Sequence, residues 1–259
     1  MHETERMGGS QAAAAEVLAT TLAGLPAIER GYLVAAGQAM AVPFSRVADA
    51  AWLDSEIVLQ ARRWPTVDRR VRATLWWYSV SQVFLTPTVA SLFVTGRALS
   101  PKPSDVLLDR SGDGTILTAR STALLGGEPV EATAAALRES LEFAIPHVAR
   151  AGAGRQRALW ALATDSLANR LLWVGRARGE LDRATALAAT LAELIGSAFP
   201  APRFLEVPRR TPRTGQARFV RRASCCLIYL EPGVAKCASC PRQTPAQRAT
   251  QLETAANYT

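Results

Sequence analysis

Histidine is scarce in this chain of 259 residues, and this shortage limits the catalytic and metal sites that the chain can form. The histidines are His2, near the N-terminus, and His147, which follows Pro146 near the predicted end of a helix. Histidine-based metal sites and Ser-His-Asp hydrolysis are therefore poorly supported. No Gly-x-Gly-x-x-Gly turn follows a predicted strand and no phosphate-binding P-loop occurs, so we expect no resident nicotinamide or nucleotide site.

Lysine is almost absent, because Lys102 and Lys236 are the only lysines among 30 basic residues. The formal net charge is +8, and residues 201–242 carry nine basic and two acidic side chains, a net of +7. A basic run is usually a solvated surface or a nucleic-acid patch. The alternative is that these cations surround an anionic group bound by nearby thiolates.

A secretory signal is also missing, because the N-terminal stretch opens with acidic side chains and lacks a basic region followed by an apolar one. We therefore expect a cytoplasmic protein. Residues 73–95 carry no charged side chain and are long enough to cross a bilayer. They contain several serines and threonines, so we interpret them as a buried helix broken or kinked at Pro87. Peripheral contact with the inner face of the cell membrane is the alternative.

Apolar residues make up 49% of the chain and charged residues 20%, as in ordinary globular proteins. Alanine and leucine are abundant, which predicts a mainly α fold of the α+β type. Ser45 is a candidate cap for a helix that stops near Pro65, and a helix pair is expected over about 66–97. Two apolar runs flank Ser-Gly-Asp-Gly within 105–120, which predicts a β-hairpin.

The composition of the sequence changes after Phe199, where proline and arginine become frequent. Four prolines between residues 200 and 212 exclude a long helix and indicate an extended connector or short edge strands. They lead into "CCLIYL" (225–230), the most strand-like run of the chain. We therefore expect a mostly helical body, 1–200, and a basic C-terminal segment, 201–259. The segment has few apolar residues and should depend on its bound group and on docking against the helices.

All four cysteines lie within sixteen consecutive positions, in the spacing C-C-x10-C-x2-C: Cys225, Cys226, Cys237 and Cys240. Without export, disulfides are not expected, and clustered thiols indicate metal or redox chemistry. The last two fit one chelating loop of a zinc site, but neighbouring residues on a strand point to opposite faces, so the first two do not fit the other. An iron–sulfur cluster is a wider body that neighbouring thiolates can grip from different sides. The spacing alone favours a cluster modestly and leaves zinc open.

The stretch "CCLIYLEPGVAKCASCPR", preceded by two arginines, resembles the C-terminal signature of FhuF-type ferric-siderophore reductases. The resemblance implies that the four cysteines bind a [2Fe-2S] cluster. It also implies a reductase that passes one electron to Fe(III) in a hydroxamate-type siderophore and releases Fe(II) for cellular iron acquisition. Electrons would come from an external donor such as a ferredoxin, and no nucleic-acid partner is expected.

In the body, "WWYSVSQVFLTPTVASLFVTG" and "ALATDSLANRLL" are similar in style to the middle region of that family. The siderophore pocket is expected in this body, with Trp76, Trp77 and Tyr78 as candidates for its wall. Core packing is the favoured interpretation of these aromatics. Arg221 and Arg222 are nearest in sequence to the first cysteines, and such cations raise the potential of an anionic cluster.

Two other functions stay open on the sequence alone. A zinc-stapled basic module that binds nucleic acid would share the thiols and the charge. An iron–sulfur sensor or regulator would share the cluster but not the turnover. The large helical body without a recognition-helix pattern argues weakly against both.

Overall fold

The computed structural model describes residues 2–35, 37–65, 68–210 and 214–258. Helices dominate these residues and are accompanied by two small antiparallel sheets. The predicted mainly α fold of the α+β type is therefore confirmed.

The elements are named here in chain order. The α-helices of the described ranges are α1 (His2–Ala23), α2 (Ala50–Leu59), α3 (Arg69–Thr95), α4 (Pro129–Val148), α5 (Gln156–Arg178), α6 (Leu181–Ile195) and α7 (Pro245–Ala256). The strands are β1 (Met40–Pro43), β2 (Val106–Arg110), β3 (Ile116–Ser121), β4 (Phe204–Pro208) and β5 (Gln216–Val220).

Helix α3 lies at the centre of the fold. Residues 73–95 belong to a buried helix, as expected, but the predicted helix pair over about 66–97 and a break at Pro87 are wrong. Helix α3 is one helix that continues through Pro87 and ends where Gly96 adopts a left-handed conformation with φ 71°. Proline removes one backbone donor, and tertiary packing holds the neighbouring turns in place. Phe84, Leu85 and Val89 around the proline are fully buried. Within the part of the chain that the structure describes, no helix has the length and apolar character needed to span a bilayer.

Helices α3 and α5 form the main packing interface. Side-chain hydrogen bonds link Trp77 to Leu159, Ser81 to Ser166, and Arg170 to Gln82. Residue numbers rise together along the two helices, so α3 and α5 run parallel. α1 and α4 also pack against α3, and α6 packs against α5. The buried faces of these helices form one large apolar core.

The hairpin predicted within 105–120 is confirmed as strands β2 and β3. The segment between them forms a turn in which the Ser111 hydroxyl and the Thr115 N–H donate to Asp113. These hydrogen bonds, led by that from Ser111, lower the pKa of Asp113 to about 2. The turn is closed by its own side chains.

Strand β1 completes a three-stranded sheet in the order β1-β2-β3. Leu108 of β2 lies opposite Val42 of β1 on one side and Ala119 of β3 on the other. The sequence pattern does not predict β1, because a strand of four residues carries little local signal and its partner is distant in the chain.

Helix α2 is capped by Asp49, so the prediction of Ser45 as its cap is wrong. The Asp49 carboxylate accepts hydrogen bonds from the N–H groups of Ala51 and Trp52, both at 3.1 Å. Ser45 lies one turn earlier, in the 3-10 segment Phe44–Ala48. Serine and aspartate cap helices equally well, and the hydrogen bonds decide between them here.

The C-terminal segment begins with the β4–β5 hairpin, which confirms the expected short strands. Helix α7 packs on this hairpin around a small core of Val207, Ala217, Leu252 and Ala256. It is not among the predicted elements, although Thr244 and Gln247 form a capping box with Pro245 at the first helical position. Cys226 and Leu227 belong instead to the main core of the helices. The boundary between 1–200 and 201–259 stays a prediction.

Candidate metal centre

The adjacent cysteines lie on a turn, and the strand predicted for 225–230 is wrong. Strand β5 ends at Val220, and Leu227 adopts a left-handed conformation with φ 67°, which an extended strand does not allow. The chain then enters the 3-10 helix Ile228–Leu230. The alternation of a flat strand therefore does not apply to Cys225 and Cys226, and the geometric objection to a shared site is removed.

The other two cysteines lie on a second turn that is supported by α7. The Cys240 N–H donates to the Cys237 carbonyl at 2.9 Å. Gln243 Nε2 donates to the same carbonyl at 2.6 Å and to Gln251 of α7 at 2.7 Å. Arg248 Nη1, also on α7, donates to the Cys240 carbonyl at 3.4 Å. A helix that is not among the elements predicted from the sequence thus holds the second half of the site.

The four thiols form two pairs, and none is in a disulfide. Cys225 Sγ and Cys240 Sγ are 3.7 Å apart. Cys226 Sγ and Cys237 Sγ share one donor, Nη1 of Arg222, at 3.7 and 3.4 Å. Two thiolates on one tetrahedral ion with bonds of about 2.3 Å lie about 3.8 Å apart, so the first pair has the spacing of ligands on a common metal. Among the described residues, no group of three or more His, Cys, Asp or Glu side chains is placed to hold a single metal ion.

Arg222 is a buried cation between the helical body and the cysteines, with 5% of its surface exposed. Its guanidinium lies 4.7 Å from the centre of the Tyr78 ring, and its Nε lies 3.5 Å from Asp165 Oδ2. Its Nη2 is buried without a hydrogen-bond partner in the described ranges. A buried cation needs compensating charge and acceptors. The unpaired Nη2 donor of Arg222 is therefore suited to an anionic group held by the thiols.

Asp165 ties the first cysteine turn to helix α5. Its carboxylate accepts hydrogen bonds from the N–H groups of Ala223 at 2.8 Å and Ser224 at 3.1 Å. Burial raises the pKa of Asp165, while these hydrogen bonds and the charge of Arg222 oppose the rise. The carboxylate fixes the backbone just before Cys225. The signal in the sequence is an acidic residue inside the apolar helix "ALATDSLA", since buried aspartates are rare without a partner.

Burial keeps the thiols of Cys225 and Cys237 protonated in the metal-free protein at neutral pH. Burial raises the pKa of Cys225 to about 11, against a smaller opposing effect of the Leu227 N–H. Burial also raises the pKa of Cys237, and Arg222 opposes it. Metal binding by these thiols therefore releases protons, and the free energy of the metal–sulfur bonds must exceed the cost of deprotonation.

The basic residues of 201–242 have several roles and do not surround the cysteines as a group. Arg218 and Arg210 form ion pairs with carboxylates, and Arg221 is exposed. Arg213 lies outside the described residues. Arg222 supplies the contacts with cysteine sulfur that the structure shows for this segment's described cations.

Two clefts flank the site. The first, termed the cysteine cleft, has a volume of about 680 Å³ and is lined in part by Arg70, Arg155, Ser224, Cys225 and Arg242. The second, termed the tyrosine cleft, has a volume of about 600 Å³, and its lining includes Tyr32, Tyr78, Arg63, Arg170 and Arg176. Cys225 borders the first cleft directly, whereas the second reaches the thiols through Tyr78 and Arg222.

The three aromatic candidates for a pocket wall separate into two groups. Trp76 and Trp77 are 1% and 0% exposed and pack in the core, as the favoured interpretation predicted. Tyr78 is partly buried and lines the tyrosine cleft. Burial raises the pKa of Tyr78, so its hydroxyl stays protonated.

Residues 222–242 match the family model of the FhuF 2Fe-2S C-terminal domain. The match confirms the resemblance seen in the motif and assigns a [2Fe-2S] cluster to this segment of the chain. It supports a relation of this segment to an iron–sulfur family of siderophore-related reductases and leaves the helical body outside the matched residues. No curated protein sequence matches the chain significantly. The residues present fit the cluster, since the donor set is four thiols beside a buried cation with donors to spare.

Proposed function

We propose that the chain is a ferric-siderophore reductase whose [2Fe-2S] cluster is held by Cys225, Cys226, Cys237 and Cys240. The observation that carries the proposal is the arrangement of these thiols in two pairs, one of them bridged by Arg222. Two thiolates for each of two irons is the ligand set of such a cluster. The match of residues 222–242 to the FhuF domain supports the same assignment.

Arg222 has the main electrostatic role in this proposal. When bound, the cluster supplies one electron at a time from an anionic centre. Arg222 donates towards Cys226 and Cys237, so it favours the more negative state of the site and raises its potential. Asp165 holds the turn in place through Ala223 and Ser224 and partly offsets the charge of Arg222.

The proposed substrate is Fe(III) in a hydroxamate-type siderophore. Hard hydroxamate oxygens bind Fe(III) tightly and Fe(II) far less tightly, so one electron releases the iron for the cell. The step needs no general acid, nucleophile or nucleotide, which agrees with a sequence that offers no such motif. The proposed compartment is the cytoplasm, with peripheral contact at the inner face of the membrane as the alternative.

The electron donor is proposed to be an acidic ferredoxin that docks at the tyrosine cleft. The described lining of this cleft includes three arginines and no carboxylate. Complementary charge accelerates encounter, and salt screens it. We expect the rate of reduction by an acidic ferredoxin to fall by about tenfold between about 20 and 300 mM salt. A rate that does not depend on ionic strength would contradict docking by charge.

The test begins with anaerobic purification of the full chain. Visible and EPR spectra, with iron, sulfide and zinc analysis, should show one [2Fe-2S] cluster, with about two irons and two sulfides, for the four thiols of each chain. The reduced protein should then release Fe(II) from a ferric trihydroxamate, detected with a ferrous-specific chelator. Stoichiometric zinc without sulfide would support the zinc module instead. A cluster that never reduces a ferric chelate would support a sensor.

A further inference from the structure

The cysteine cleft has a charge pattern that the reductase function alone does not explain. It lies where the first turns of α3 and α5 meet the two cysteine turns. Arg70 and Arg155 approach from the helices and Arg242 from the second cysteine turn. The lining contains no carboxylate among the residues that the structure describes.

The three arginines of this cleft are exposed, and their side chains form no ion pair within the described ranges. The neighbouring Arg69 differs, because it is paired with Asp54. Like charges that converge without a counter-charge repel one another, and a bound anion removes that repulsion. The cleft therefore fits an anionic ligand better than a neutral or cationic one.

The position of the cleft connects this charge to the metal centre. Ser224 and Cys225 form part of its wall, and the Cys225 thiol is partly exposed there. A ligand in the cleft therefore meets Cys225 without a protein layer between them. The volume of about 680 Å³ lies within the range of about 300–1,000 Å³ that small-molecule sites occupy.

We propose that the cysteine cleft binds the ferric siderophore and selects a hydroxamate chelate that carries a net negative charge, such as one with a free carboxylate. The inference rests on the proposed function and names the substrate class within it. One electron passes from the reduced cluster to Fe(III), which becomes Fe(II), and the cluster returns to its oxidised state. Ferredoxin supplies the electron for the next cycle. Arg70, Arg155 and Arg242 contribute binding and orientation.

Gallium(III) complexes separate binding from reduction. Gallium(III) has the charge of Fe(III), is coordinated by the same hydroxamate oxygens and is not reduced. The probes are the gallium complexes of a linear trihydroxamate with a terminal ammonium and of the same chelator with that amine succinylated. The two complexes share one metal core and differ in net charge. Calorimetric titration of the oxidised holoprotein should show that the succinylated complex binds about tenfold more tightly. Equal affinity, or a preference for the ammonium form, would overturn the inference.

Arginine variants locate the site. Arg155→Gln and Arg242→Gln should each weaken binding of the succinylated complex by about threefold to fivefold and leave the ammonium complex nearly unchanged. Arg97→Gln is the matched control, because Arg97 is exposed and lies beyond the far end of α3, about 40 Å from Arg70 along the helix. Equal effects of all three variants, or none, would overturn the assignment to this cleft.

The gallium result and the reductase assay can fail independently. Charge-selective gallium binding that depends on Arg155 and Arg242, in a protein that never reduces the ferric complexes, would support the binding site and contradict the proposed function. Reduction of both ferric complexes with equal efficiency, and without sensitivity to Arg155→Gln, would support the proposed function and overturn the inference.

Discussion

The two thiol pairs of this protein have opposite surroundings. In the Cys225–Cys240 pair, Cys225 borders an open cleft with exposed arginines and Cys240 is buried, whereas the Cys226–Cys237 pair lies against Arg222, which is buried and fixed by Asp165 and Tyr78. The first environment allows a ligand to approach, and the second holds charge in a fixed place. One side of the centre is thus suited to exchange with substrate and the other to adjustment of its potential.

The largest expected effect comes from removal of a thiol on either side. Cys225→Ser and Cys226→Ser should both lose the cluster. The loss of cluster affinity should exceed the roughly 10–100-fold loss that removal of an outer-shell partner causes at a metal site. Cys226→Ser should also destabilise the fold more, because Cys226 is buried in the main core, where a hydroxyl is costly, whereas Cys225 is partly exposed. Iron and sulfide content and thermal melts measure the two effects.

Ser224→Ala is the control for these variants, since it changes the neighbouring side chain and removes no thiol. It should retain the cluster. A Cys226→Ser protein that keeps its iron and sulfide would contradict the ligand assignment, and equal melting temperatures for the two cysteine variants would remove the distinction between the pairs.

The second effect concerns the anchor of the buried side. Asp165→Asn leaves Arg222 without its carboxylate and places an amide against the N–H groups of Ala223 and Ser224. We expect a loss of about 3 kcal/mol in the free energy of unfolding. Urea unfolding of the holoprotein, followed by circular dichroism and by cluster absorbance, measures the loss.

Ser166→Ala, on the same helix, provides the comparison for that variant. It removes the hydrogen bond to Ser81 and should cost only about 1 kcal/mol. If Asp165→Asn costs no more than Ser166→Ala, Asp165 is not the anchor of the cysteine turn.

The third effect is a change in potential without loss of the cluster. Arg222→Lys keeps a cation but withdraws the guanidinium from the sulfurs, and Arg222→Gln removes the charge. We expect Arg222→Gln to lower the midpoint potential by about 100 mV and Arg222→Lys by less. Arg221→Gln is the matched control, because Arg221 is adjacent in sequence and exposed. Potentiometric titration followed by EPR gives the values, and equal shifts for the two glutamine variants would contradict the role of Arg222.

The sequence predicts most of the helical body because its signals are local. Glycine ends helices readily, and Gly96 and Gly179 adopt the left-handed conformation at the ends of α3 and α5. The hairpin of β2 and β3 is also predictable, since its turn residues lie between its strands. Pro87 leads to the wrong prediction of a helix break, because tertiary packing around α3 outweighs the tendency of proline to end a helix.

The cysteine segment is predictable from the sequence, whereas its local geometry is not. The cysteine spacing identifies the segment, but the apolar pattern of 225–230 indicates a strand and carries no information on the positive φ of Leu227. Asp165 lies 57 residues before Arg222, so its role appears only when α5 is packed against the turn. The cleft arginines Arg70, Arg155 and Arg242 come together in the same way, from three distant parts of the chain.

The most direct test of the central claim is a single turnover. The anaerobically reduced full chain, freed of excess reductant, is mixed in a stopped-flow instrument with a ferric trihydroxamate and a ferrous-specific chelator. We expect the cluster absorbance to return to its oxidised form as Fe(II) appears, with about one Fe(II) for each cluster oxidised. Cluster oxidation without Fe(II), or a reduced cluster that persists in the presence of the ferric chelate, would contradict it.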